Sequence, residues 1–143
     1  MLLGTVAEIM TKRPIDVASG TSIVTTAKTM CAAGIGSLLV KKGEQWIGSV
    51  SESDIVRRAV ANNRDLTAQT VDMIMSAPVA TIDGNCMVHE ARNLMRKLGV
   101  RHLGVTLAGE IVGVVSERDV SLFYEHYVLS QEHDSSEPKI SQD

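Results

Sequence analysis

Aromatic side chains are scarce, with one tryptophan, two tyrosines and one phenylalanine in 143 residues. Any core is therefore aliphatic, with seven methionines available to fill irregular gaps. Cysteine is equally sparse. Cys31 and Cys86 stand far apart and belong to no Cys-x-x-Cys or Cys/His spacing, which argues against both a disulfide framework and a zinc site. Each reads as a small core residue. His89, His126 and His133 share no ligand spacing, so no metal role is assigned. A cationic excess is also absent: 14 Lys and Arg against 17 Asp and Glu leave a net charge of −3, with no basic footprint for nucleic acid. No apolar run approaches the roughly 20 residues of a membrane span. Met1-Leu2-Leu3-Gly4 lacks a basic lead, and Glu8 and Lys12 interrupt any apolar segment, so no signal peptide is expected and the expected compartment is the cytoplasm.

What is present is ordinary globular chemistry, 44% hydrophobic and 22% charged, in a length suited to one compact domain or two half-domains sharing a core. The organising feature is a duplication. Gly48-Ser49-Val50-Ser51-Glu52-Ser53-Asp54 recurs 65 positions later as Gly113-Val114-Val115-Ser116-Glu117-Arg118-Asp119. Each copy follows a short apolar run and leads into an apolar-periodic segment, predicting strand, tight turn and helix start. Ser-x-x-Asp there reads as a capping box that satisfies free backbone N–H groups. The same N–H groups attract phosphate, and a carboxylate beside them can accept hydrogen bonds from sugar hydroxyls.

The flanking order repeats as well. Thr5-Val6-Ala7-Glu8-Ile9-Met10, stopped by Pro14, is echoed by Thr70-Val71-Asp72-Met73-Ile74-Met75, stopped by Pro78. Extended pieces follow at Ile15-Asp16-Val17 and Val79-Ala80-Thr81-Ile82. Ile23, Ala27, Met30 and Ala33 then mark one helical face, and Val88, Ala91, Met95 and Leu98 mark its counterpart. Gly34 and Gly99 sit where a left-handed residue ends a helix. Short strands are predicted at Ser37-Leu38-Leu39-Val40 and His102-Leu103-Gly104-Val105, each with a partner strand ending at Val50 or Val115, and a last helix closes each copy. Trp46 reads as a packing residue beside a turn. The expected fold class is α/β (α+β): residues 1–66 and 67–129 form two repeats, each a small sheet with flanking helices, paired about a pseudo-two-fold axis with a shared interior and a cleft between them. Residues 130–143, polar except for Ile140, are expected to form a loose tail.

Taken together these residues resemble the paired cystathionine-β-synthase-type (CBS) domain, or Bateman module. The resemblance rests on Met10-Thr11-Lys12-Arg13-Pro14-Ile15 with Met75-Ser76-Ala77-Pro78-Val79, on Gly34-Ile35-Gly36-Ser37-Leu38 with Gly99-Val100-Arg101-His102-Leu103, and on the two Gly-x-x-Ser-x-x-Asp stretches. It covers residues 5 to about 128. Leu39 and Gly104 depart from it, standing where the family usually has proline beside the ligand cleft.

The resemblance implies a regulatory module that binds adenosine derivatives, such as AMP, ADP, ATP, NADH or S-adenosylmethionine, in two clefts built crosswise between the repeats. One cleft would combine Thr11, Ile15, Asp16, Gly36 and Ser37 with Ser116, Arg118 and Asp119. The other would combine Ser76, Val79, Ala80, Arg101 and His102 with Ser51, Ser53 and Asp54. Asp54 and Asp119 would accept both ribose hydroxyls and repel a 2′-phosphate. Ser51 and Ser116, with the helix-start N–H groups, would hold the α-phosphate, and Ile15 and Val79 would offer an apolar face to adenine. Arg101 and His102 replace Gly36 and Ser37 of the first repeat, and Arg118 replaces Ser53, so the clefts are expected to differ in affinity.

Three function classes are open to such a chain. A nucleotide-sensing module that acts on a separate regulated protein is the leading expectation, with AMP, ADP or ATP as ligand and no cofactor required. A scaffold or dimerisation module, in which Ser and Asp only cap helices, is the alternative. Catalysis is not expected, because no paired catalytic carboxylates, no nucleophile with an adjacent base and no Walker-type loop occur. A homodimer is expected, both from the resemblance and from the apolar surface of Val120, Phe123, Tyr124 and Tyr127.

Overall fold

The structure, a computed structural model, describes residues 4–139, with side-chain surroundings through Ser130. Helix α1 (Val6–Ile9) opens the chain, followed by β1 (Asp16–Ala18), α2 (Ile23–Ala33), β2 (Ser37–Lys42), β3 (Gln45–Ser51) and α3 (Glu52–Asp54). Helix α3 continues as a wide turn, Ile55–Val60, with i→i+5 bonds such as Ala61 N–H to the Val56 carbonyl at 2.9 Å. A 3₁₀ turn, Val71–Met73, starts the second half. Strand β4 (Thr81–Asp83), helix α4 (Val88–Leu98), strands β5 (His102–Leu107) and β6 (Glu110–Ser116), and helix α5 (Glu117–Lys139) follow.

Each half carries one three-stranded sheet, in the orders β1-β2-β3 and β4-β5-β6. The outer pair is parallel and the hairpin pair antiparallel, in equivalent registers: Leu39 faces Ser49 in one sheet and Gly104 faces Val114 in the other. Helices α2 and α4 end alike, at Gly34 and Gly99, both at φ 66°, where a side chain would be strained. Ser22 caps α2 by accepting the Thr25 N–H at 3.1 Å.

The interior differs from the single shared one expected. There are two apolar clusters, and each is completed by the opening segment of the other repeat. Val6 is buried with Ile82, Val88, Met95, Leu103 and Val105, whereas Val71 and Ile74 are buried with Ile23, Met30, Leu38 and Val50. Backbone bonds fix the exchange. Thr11 and Val114 trade N–H and C=O at 2.7 and 2.9 Å, and Ser49 and Ser76 do so at 2.9 and 2.8 Å. This explains the leading glycine of each duplicated stretch. A Cβ on Gly48 would lie 2.8 Å from the Ser76 carbonyl oxygen, and one on Gly113 would lie 2.8 Å from that of Thr11. Only glycine lets the crossing segment this close.

Three expectations change. Cys31 is exposed, because the buried face of α2 runs through Ile23, Thr26 and Met30; Cys86 is half-buried against the second cluster. Val120 is buried and Phe123 and Tyr124 pack on the second cluster, so most of the apolar face read as dimer surface serves the fold itself. Helix α5 runs to Lys139, through most of the segment expected as a loose tail, since no glycine or proline interrupts it before Pro138; residues 140–143 lie outside the described part. Among the described residues no helix is long and apolar enough to cross a membrane.

Candidate functional site

The exchange brings Thr11 and Ile15 of the first repeat against the β6–α5 turn of the second. Alternation along β2 and β6 sends Leu38, Val40 and Val115 into the cores and leaves Leu39 and Val114, also buried, on the opposite faces. Those two line a cleft of about 280 Å³ together with Thr11, Ile15, Ser37, His102, Ser116, Arg118 and Asp119. A second hollow of about 460 Å³ shares Ser37, His102, Ser116 and Arg118 with it and adds Gly36, Arg101 and Ser121. Their sizes and mixed lining suit a small polar ligand with one apolar face.

The turn itself is built as a cap. The Asp119 Oδ2 accepts the Ser116 N–H at 2.9 Å, and the Ser116 Oγ accepts the Asp119 N–H at 3.1 Å. Among the described residues no hydrogen bond or ion pair takes the Asp119 Oδ1, which leaves one carboxylate oxygen for a hydroxyl donor. Arg118 and Arg13 flank it on the rim, and helix α5 directs its positive end toward the hollow.

The equivalent turn of the first repeat has the same cap and a different use of the spare oxygen. The Asp54 Oδ2 accepts the Ser51 N–H at 2.9 Å, while the Oδ1 lies 3.5 Å from the Arg58 Nε. The Arg58 Nη1 in turn donates to the Ile74 and Met75 carbonyls at 3.4 Å. Asp54 is thereby tied into the support of the exchanged segment.

Of the residues grouped by sequence for the first cleft, the structure brings together Thr11, Ile15, Ser37, Ser116, Arg118 and Asp119, with Gly36 in the adjoining hollow. Asp16 is turned to the sheet, its Oδ2 accepting the Trp46 indole N–H at 3.1 Å, which also gives Trp46 a polar anchor. Of the second group, His102 lines the first cleft itself, and Arg101 lines the adjoining hollow with Ser116 and Arg118. Ser76 is held in the bridge to Ser49, the Ala80 carbonyl accepts the Gly104 N–H at 2.8 Å, and Val79, Ser53 and Ser51 are half-buried. Arg13, Leu39 and Val114 were missed as lining residues. Arg13 had a signal, as a cation two positions after Thr11, and so had Leu39, which stands where the family usually has proline beside the cleft; Val114 had none, since a buried residue on the cleft face looks like any other strand residue.

His102 is the most perturbed group in the cleft. Burial pushes its pKa below the usual imidazole value, and the Asp119 carboxylate pulls it partly back. A neutral ring with one nitrogen free to donate and one to accept results. The Nε2 lies 3.2 Å from the Ser37 Oγ.

The CBS-domain family model matches residues 6–61 and 71–125. A CBS-domain protein from Burkholderia ambifaria superposes with a TM-score of 0.76 at 31% identity, covering 82% of this chain and 90% of that one. A CBS-domain protein from Pyrobaculum aerophilum, complexed with AMP, gives 0.70 at 29% identity over 80% and 88% of the two chains. The CBS-domain pair of the protein MJ0100, in complex with 5′-methylthioadenosine and S-adenosylmethionine, gives 0.74 at 26% identity over 88% and 99%. An uncharacterized Methanopyrus kandleri protein is 30% identical over 125 residues, 86% of this chain, and this chain spans 61% of its length. The chain belongs to the CBS-domain family and carries two such domains in tandem.

Proposed function

We propose that this chain is a regulatory module that binds an adenosine nucleotide, of the AMP, ADP or ATP class, in the cleft between Ile15 and the Ser116-Asp119 turn. The observation that carries the reading is the spare Asp119 carboxylate oxygen, set beside a helix start with Arg118, Arg13 and His102 around one hollow. Asp119 accepts from the ribose, the Ser116 end of α5 and the arginines hold phosphate, and Ile15 lies against the base. The adenosine ligands of the Pyrobaculum protein and of MJ0100 support the ligand class.

A structural role is the better reading for the other turn, because Arg58 already occupies the spare Asp54 oxygen. One strong site is therefore expected per chain. Val56 and Val60 after α3, and Leu122 and Leu129 on α5, are each more than half exposed and are apolar positions available to a second copy or to the regulated protein.

Thermal unfolding with AMP, ADP, ATP, NADH, S-adenosylmethionine and GMP tests the reading. At about 100 times its dissociation constant, a ligand adds roughly 2.7 kcal/mol, a shift of several degrees in a domain of this size. A shift with an adenosine ligand and none with GMP is expected. No shift with any of them would leave both Ser-x-x-Asp turns as helix caps.

A further inference from the structure

The two repeats carry the same groove with opposite chemistry. In the first, a groove between α2 and α3 is lined by Ala27, Cys31, Gly36 and Val56 with one acid, Glu52. Shifted by the repeat, the groove between α4 and α5 encloses about 550 Å³ and is lined by Arg92, Arg96 and Arg101 where the first has Ala27, Cys31 and Gly36. The first repeat shows that the fold has no need of cations at these positions.

One acid faces these three cations. That acid, Glu117, is 3.7 Å from Arg101, which leaves Arg92 and Arg96 without a carboxylate among the described residues. The Arg92 Nε is shut off from solvent with no hydrogen-bond acceptor, the one such side-chain atom among the described residues. Its guanidinium is held over the Tyr124 ring, 4.6 Å from the centroid. Arg92 and Arg96 are also an i,i+4 pair of like charge, which weakens an isolated helix. The negative end of α4 accounts for Arg96 and Lys97, but not for Arg92 or Arg101.

We propose that the α4–α5 groove is an anion site that takes a phosphate group. Planar guanidinium forks match phosphate oxygens, and a dianionic group would offset the Arg92–Arg96 repulsion. The groove shares Arg101, Glu117 and Ser121 with the 460 Å³ hollow of the adenosine cleft. The phosphate can therefore belong to an independent ligand or to the chain of a nucleotide seated next door.

The test is calorimetric titration of the full chain at fixed ionic strength, with sodium pyrophosphate, AMP and ATP. The wild type is compared with the double variant Arg92→Gln/Arg96→Gln and with Arg96→Glu, an exposed position, with circular dichroism checking that each variant is folded. Saturable pyrophosphate binding that weakens at least tenfold in both variants and persists under saturating AMP supports an independent ligand. If pyrophosphate does not bind, an advantage of ATP over AMP of at least tenfold that vanishes in both variants supports a nucleotide's own phosphates. Equal affinities in wild type and variants, or neither kind of binding, overturns the proposal. The pyrophosphate arm needs no adenosine, so its outcome stands apart from that of the adenosine reading.

Discussion

The Ser37 Oγ and the His102 Nε2 meet at 3.2 Å, although they occupy the same position of the two repeats, 65 residues apart. Equivalent residues can touch only where the pseudo-two-fold axis passes, so this pair marks the line on which the halves join. It also lies on the wall of the proposed adenosine cleft.

That position gives the stability a pH dependence. Burial holds the folded pKa of His102 below its ordinary value of 6.5, so the unfolded chain takes up the proton first as the pH falls. Stability is then full above about 6.5 and is lost as the pH drops through that value toward the folded one. Urea unfolding between pH 5 and 8 checks this, and His102→Asn should flatten the profile. Phosphate in the cleft would raise the imidazole pKa, so NMR titration of His102 should move to higher pH when AMP is present.

Asp119→Ala should weaken AMP at least tenfold, the scale of one or two charged hydrogen bonds. Asp54→Ala should leave that affinity within twofold. Both variants should lose about 1 kcal/mol of stability, since both carboxylates complete a cap. Equal losses of affinity would mean that both turns bind.

Gly113→Ala places a methyl group 2.8 Å from the Thr11 carbonyl oxygen. Backbone must move, and about 1–3 kcal/mol of destabilisation is expected from such overpacking. Gly48→Ala should behave alike, through the Ser76 carbonyl oxygen. Gly36→Ala is the control, since its nearest contact is the movable Glu52 side chain at 3.3 Å. Denaturant midpoints rank the three.

Ile74→Ala should cost about 2–5 kcal/mol, as for any buried isoleucine, although the residue belongs to the second repeat and fills the core of the first. Amide exchange in β2 and β3 should accelerate more than in β5 and β6. The reverse ranking would contradict the exchange of segments.

Much of the fold was legible because duplication repeated every local signal: the helix-ending glycines, the strand pairs and the capped turns all occur where periodicity put them. The crossing of Val6 and Val71 into opposite halves was not, because an apolar residue in a short helix does not say which core it enters. The cleft was legible where it uses turn chemistry, at Ser116, Arg118 and Asp119. It was misread where symmetry was assumed. Arg101 and His102 were assigned by position to one cleft and line hollows of the other, and Asp16 was claimed by Trp46, a contact no spacing rule encodes.

Because each opening segment seals the opposite half, a lone copy of the repeat holds a donor strip and an acceptor site that close on another copy. Those are the parts of a symmetric pair of short chains. Joining two copies through residues 61–70 replaces a concentration-dependent encounter with an effective concentration in the millimolar range, as expected for a short linker. Once joined, the copies are free to diverge, and the grooves lined by Ala27 and by Arg92 record how far they have done so.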